Sequence, residues 1–242
     1  MEPRWTTRQP KELVVHDEPH ECPYLPGRQA RLPMRLPSRA LSPTELDARL
    51  AEGDRRHGPF LYRPTCGECQ ACEAIRIPVA ELRSRRSHRR VLAKGDRVFR
   101  VELGPPLVDD ARLALYEKHK SERGLTTEPG RTLDRRGYEA FLVDRCAPSF
   151  EMRYWDGDHL AAVAVVDRGQ AALSAVYCLW DPDYEPVGLG TYSILKQVEL
   201  CRRMSIRWLY LGLYIEDNAH MSYKARFRPH ERLVAGTWTR FE

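Results

Sequence analysis

At 242 residues the chain has room for one or two domains. Hydrophobic residues at 42% and charged residues at 30% are ordinary for a soluble protein, and the longest apolar run, Leu160 to Val166, is far too short to span a bilayer. The polar stretch from Met1 to Glu21 has no signal-peptide core, and seven cysteines are an odd count for a disulfide framework, so a cytoplasmic protein with no membrane partner is expected.

The formal charge of +5 is unevenly spread. Arg76, Arg83, Arg85, Arg86, Arg89, Arg90, Lys94, Arg97 and Arg100 face only Glu81 and Asp96, which makes that segment +7 and leaves the rest of the chain at −2. A local excess of this size is the electrostatic footprint of a polyanion partner such as RNA, with Arg83, Arg85, Arg86, Arg89 and Arg90 as the binding residues. A solvated basic face is the plainer alternative.

In chain order, residues 1 to 20 read as a lead-in with a short strand at Leu13-Val14-Val15. Cys22-Pro23-Tyr24-Leu25-Pro26-Gly27-Arg28-Gln29-Ala30-Arg31 fixes a turn followed by two arginines three apart. Ser42-Pro43-Thr44-Glu45 is a capping box, which predicts a helix ending near Glu52-Gly53. Cys66, Cys69 and Cys72 form CxxCxxC ahead of a strand from Ile75 to Val79. Three thiols at this spacing, with Cys22 as a fourth, can hold zinc or an iron–sulfur cluster, or they are simply small buried thiols. A strand from Arg97 to Leu103 ends at Gly104-Pro105-Pro106, where the domain boundary is placed.

Helices are expected over Asp109 to Arg123 and Thr132 to Cys146. Met152 to Trp155, then Asp156-Gly157-Asp158, then Leu160 to Val166 is a hairpin with a strong turn signal. A strand from Ala172 to Trp180 follows, and Asp181-Pro182-Asp183-Tyr184-Glu185-Pro186 breaks it. Gly188-Leu189-Gly190 then opens a helix with Ile194, Leu195, Val198, Cys201 and Met204 on one face. Trp208 to Ile215 is apolar on both faces and reads as a buried strand.

A glycine turn at a helix N-terminus offers free amides and the positive end of a dipole to an anion or carbonyl, and glycines let a ligand approach the backbone. This unit resembles the core of the GNAT acyltransferase superfamily. There a basic residue leads the loop that holds the pyrophosphate of acetyl-CoA. Glu185 stands in that place here, which argues against an acetyl-CoA acetyltransferase. An ordinary crossover with a tight turn is the alternative. Past the last buried strand, Glu216, Asp217, His220, Tyr223, Lys224, Arg226 and Arg228 crowd one loop of the kind on which function collects.

CPYLPGRQAR, LYRPTCGECQACEAIRIPV, SHRRVL, GLGTYSILKQVE, LYLGLYI and MSYKARFRP together resemble the bacterial branch of the arginyl-tRNA–protein transferase family, the aspartate/glutamate leucyltransferases of the N-degron pathway. The motifs run from Cys22 to Pro229. The resemblance implies an α+β protein: a smaller N-terminal α/β domain carrying the cysteines (residues 1–104) and a C-terminal GNAT-like domain with a mixed sheet flanked by helices (residues 105–242). It implies transfer of an amino acid, leucine rather than arginine, from leucyl-tRNA to the α-amine of proteins that begin with Asp or Glu, with no cofactor required. Asp217, Glu216 and Tyr223 are then the expected catalytic groups. Arg76, Lys224, Arg226 and Arg228, with Arg28 and Arg31, are expected to bind substrate, and Gly188 and Gly190 to supply amides. A non-catalytic metal-binding RNA-recognition module would explain the cysteines and the basic segment, but not the C-terminal acyltransferase-like unit.

Overall fold

The computed structural model describes residues 4–125 and 133–242. β1 (Arg4–Trp5), β2 (Glu12–His16), β3 (Pro19–Glu21), β4 (Gln29–Arg31), β5 (Met34–Pro37), α1 (Pro43–Ala51), β6 (Arg55–His57) and β7 (Phe60–Tyr62) come first. Five of these strands form a small antiparallel sheet in the order β1-β2-β5-β7-β6, while β3 and β4 pair as a separate hairpin. α1 starts where its sequence says: the Ser42 hydroxyl accepts from the Glu45 amide at 3.3 Å, and Glu45 accepts from the Ser42 amide at 2.8 Å.

β8 (Glu73–Pro78), α2 (Arg86–Val98), β9 (Arg100–Gly104), α3 (Asp110–Glu122), α4 (Arg135–Tyr138), β10 (Ser149–Asp156), β11 (His159–Arg168), β12 (Ala172–Trp180), α5 (Leu189–Arg203), β13 (Trp208–Tyr214), α6 (Ala219–Ser222), β14 (His230–Val234) and β15 (Thr237–Phe241) follow. They build a mixed α+β layer around an eight-stranded sheet in the order β15-β14-β8-β13-β12-β11-β10-β9. Only β12 and β13 pair parallel, as a crossover through α5 requires. The large sheet takes β8 and β9 from before residue 105, so Gly104-Pro105-Pro106 ends a strand of this sheet rather than a sheet.

β11 is buried along nearly its whole length because helices cover both faces. Ala162, Ala164 and Val166 pack with Tyr192, Leu195 and Val198 of α5. Val163 and Val165 pack on the other side with Leu115 of α3, Tyr138 and Leu142. α2 lies on α5 at Gly95, where a Cβ would overlap the Tyr192 ring.

Three sequence expectations shift. Arg97 and Val98 belong to α2, whose end is closed by the Phe99 amide bonding to the Gly95 oxygen at 2.7 Å, so the strand starts only at Arg100. The helix expected over Thr132 to Cys146 begins at Arg135, capped by Asp134, widens to a π-helix over Glu139–Val143 and stops there; Thr132 lies outside the described residues. Cys146 is instead drawn under α1, where its oxygen accepts from the Leu41 amide at 2.7 Å. β14 and β15, which no sequence motif announces, extend the large sheet. Among the described residues no helix is long and apolar enough to cross a membrane.

Candidate functional site

β12 and β13 pair at three positions only, Ala172↔Trp208, Leu173↔Leu209 and Ser174↔Tyr210. Beyond these, β12 stays with β11 to Trp180 and β13 stays with β8 to Tyr214, so the parallel strands part over their second halves. α5 starts at this open end. Gly188 takes a left-handed φ of 79°, which suits glycine, and its amide bonds back to the Glu185 oxygen at 2.9 Å. The helix makes its first own bond from the Tyr192 amide to the Gly188 oxygen, which among the described residues leaves the amides of Leu189, Gly190 and Thr191 open. A Cβ on Gly190 would stand 3.7 Å from Nε1 of Trp180 at the end of β12.

The loop after β13 closes over the same end. Glu216 and Asp217 are exposed and make no side-chain bond among the described residues. The Asn218 side chain caps α6 through the His220 amide (3.0 Å) and donates to the Tyr24 carbonyl (2.9 Å), tying this loop to the turn that carries Cys22. Burial pushes the Tyr223 phenol up to about 12, so at neutral pH it is a donor and not a base. Lys224 Nζ donates to the Leu213 oxygen at 2.6 Å and lies 3.1 Å from Sδ of Met221. Burial, and then the nearby Arg55 guanidinium, bring this ammonium down to about 7.

Nothing local in the sequence marks Arg55 as a site residue among so many arginines. Its guanidinium lies against Gly212, where any Cβ would overlap it. Arg55 Nε is buried with no hydrogen-bond partner, and among the described residues no carboxylate stands within ion-pairing distance of Arg55 or Lys224.

The other expected site residues differ in what holds them. Arg76 is engaged at the opposite end of β13: its guanidinium is held 3.9 Å from both Trp208 and Trp238, bonds Tyr210 Oη at 2.9 Å and pairs with Glu231 at 2.7 Å. Arg31 forks onto Asp17 at 2.6 and 2.8 Å and holds that carboxyl below its usual value, while Arg28 reaches Cys69 Sγ at 3.5 Å. Arg226 is exposed, and Arg228 bonds the Glu242 main-chain oxygen. Arg83, Arg85, Arg86, Arg89 and Arg90 are all exposed, most of them at the start of α2, and among the described residues only Arg83 is paired with a carboxylate, Glu242. Cations crowding a helix N-terminus oppose its dipole, which stability alone would not select.

Cys22, Cys66, Cys69 and Cys72 do come together, lining one cavity of about 680 Å³ with Tyr24 and Leu213. Burial and then the other three thiols push Cys72 up to about 12. The donor chemistry suits a soft cation, but among the described residues no three His, Cys, Asp or Glu side chains are arranged to hold a metal ion.

A crossover helix with open amides, at the same end of the sheet as two cations that have no carboxylate partner among the described residues, makes an α/β site suited to an acyl or anionic ligand. Family comparison narrows this class. Residues 20–90 match the arginine-tRNA-protein transferase N terminus and residues 111–234 its C terminus. The chain belongs to the arginine-tRNA-protein transferase family. It is 40% identical over 224 residues to an aspartate/glutamate leucyltransferase of Halorhodospira halophila, covering 90% of this chain and 93% of the relative. Proteins of the same name from Thiobacillus denitrificans (36%, 92% of each chain) and Vibrio campbellii (36%, 90% of this chain and 93% of the relative) are similar to it. Among solved structures, FemX overlays at a TM-score of 0.45 with 8% identity, over 90% of this chain and 82% of that one.

Proposed function

We propose that the protein transfers leucine from leucyl-tRNA to the N-terminal α-amine of proteins that begin with aspartate or glutamate. The observation that carries this is the match of both family segments, in order, on a chain whose relatives over about 90% of its length are named for leucyl transfer. The parted strands and the glycine crossover support a GNAT-like acyltransferase core.

An aminoacyl ester is already activated, so attack by an amine needs positioning more than power. The acceptor amine forms the new C–N bond, the ester C–O bond breaks, and the tRNA terminal hydroxyl leaves with a proton. In this reading the open amides of Leu189 and Gly190 and the protonated Tyr223 phenol are the donors for the tetrahedral oxyanion. Exposed Glu216 or Asp217 takes the ammonium proton, which an α-amine of pKa ~8 gives up readily. The exposed arginines of α2 hold tRNA phosphates. Holding zinc or an iron–sulfur cluster would require the four thiols to draw together, and the transfer runs without one.

Incubation with a mixture of aminoacyl-tRNAs and an Asp-starting peptide, read by mass spectrometry, tests the reading. Leucine added to the peptide is the expected product. Arginine in its place overturns the donor, and an unmodified peptide overturns the function.

A further inference from the structure

We propose that Arg55, with Lys224 beside it, cradles the side-chain carboxylate of the acceptor's first residue and so sets its specificity. This rests on the transfer reading above. Arg55 arrives from β6 of the small sheet and Lys224 from the C-terminal loop, yet they meet on neighbouring residues of one strand. The guanidinium covers Gly212, and the ammonium bonds the Leu213 oxygen. These positions lie past Tyr210, on the part of β13 that has left β12.

Counter-charge singles the pair out. The buried guanidinium groups of Arg35, Arg49, Arg56 and Arg112 are each matched by a carboxylate, at 2.7 to 3.1 Å: Asp54 and Glu12 for Arg35, Glu12 for Arg49, Asp167 for Arg56 and Glu151 for Arg112. Lys224 is as buried as these and has none among the described residues, and there Arg55 also keeps a buried Nε without a partner. Two cations left so close together repel, and an arriving carboxylate relieves both the repulsion and the desolvation. The Tyr24 phenol, held neutral by burial and close to both Tyr62 and Arg55, adds a donor at the same place. A guanidinium fork fits a carboxylate and not a carboxamide, so Asp and Glu are accepted and Asn and Gln refused. The open amides of α5 stand at the same end of the sheet, so an acceptor anchored here presents its amine toward the acyl group.

The test compares peptides that start with Asp and Asn, with leucyl-tRNA as donor. Arg55→Gln is expected to lower kcat/KM for the Asp peptide by ~100-fold, to leave the Asn peptide nearly unchanged and to leave leucyl-tRNA affinity intact, so the Asp/Asn ratio collapses. Should that variant fail to fold, Arg55→Lys keeps a charge but loses the fork, and a fall of ~10-fold in the ratio is expected. Equal losses on both peptides mean a structural role and overturn the proposal. A weakened leucyl-tRNA affinity with the ratio retained assigns Arg55 to the donor and also overturns it. A wild-type protein that leaves the Asp peptide unmodified fails the transfer reading itself.

Discussion

Lys224 Nζ donates to the Leu213 carbonyl at 2.6 Å with no carboxylate of the described residues beside it, although the side chain is buried. An ammonium in that position costs stability, and the cost has a pH signature. Its pKa falls from an ordinary 10.5 in the unfolded chain to about 7 in the folded one, with Arg55 the charged group facing it and Met221 and Leu213 its other neighbours. Between those values the unfolded chain holds a proton that the folded chain sheds, so stability rises with pH across the window. Below pH 7 both forms are charged and the penalty is constant. Lys224→Met is expected to stabilise the protein at neutral pH, to flatten the rise and to cost transfer activity. Urea unfolding at a series of pH values checks this; an unchanged slope in the variant would place the rise on another group.

Arg56 of β6 bonds Asp167 of β11 at 2.8 Å and also donates to the oxygens of Gly58 and Asp144. It fastens the small sheet to the large one, where Arg55 meets Lys224. Removing one partner leaves a buried charge, so Arg56→Ala should destabilise by ~3–5 kcal/mol. The Arg56→Met, Asp167→Leu double change should recover much of that loss, because it removes both charges. Chemical denaturation of the three proteins measures the coupling, and additive losses would show that the pair is not a unit.

The arginines of α2 are expected to act on tRNA alone. Replacing Arg85, Arg86, Arg89 and Arg90 with Ala should lower the slope of log affinity against log salt by ~0.9 for each duplex phosphate that is no longer neutralised, and by less on a single strand. Folding stability should hold or rise slightly, since the changes relieve unfavourable charge at a helix N-terminus. A salt titration of leucyl-tRNA binding decides; an unchanged slope leaves α2 as a solvated face.

What the sequence made legible was local. The capping box at Ser42, the Asp-Gly hairpin and the strand, glycine turn, helix, strand run from Ala172 to Tyr214 each carry their geometry within a few residues, and each formed where expected. Convergence across the chain was not legible. The Asn218 bond to Tyr24 spans 194 positions and Arg56 to Asp167 spans 111, and a chain with 39 Lys and Arg against 34 Asp and Glu gives no local sign of which charges pair. Arg55 and Arg56 are the sharpest case. They are adjacent, yet neighbouring side chains on a strand point to opposite faces, so Arg56 meets Asp167 and Arg55 is left facing the open end.

Arg76 shows the converse, a cation that composition offers as a ligand and packing uses as a rivet. Its planar group is stacked between Trp208 of β13 and Trp238 of β15, while Glu231 of β14 and Tyr210 of β13 take its N–H groups. Four residues from three strands thus meet on one guanidinium. Each stacked face contributes ~0.5–2 kcal/mol when desolvated, and a lysine cannot stack and fork at once. Arg76→Ala and Arg76→Lys should therefore both lower Tm. If they also lower transfer, they should do so equally for Asp and Asn peptides, because the edge of the sheet loosens while the groups that hold the acceptor stay in place. The Asp/Asn ratio, measured beside the melting temperature, separates the two roles. A collapsed ratio with an unchanged Tm would return Arg76 to the acceptor site and weaken the case for Arg55.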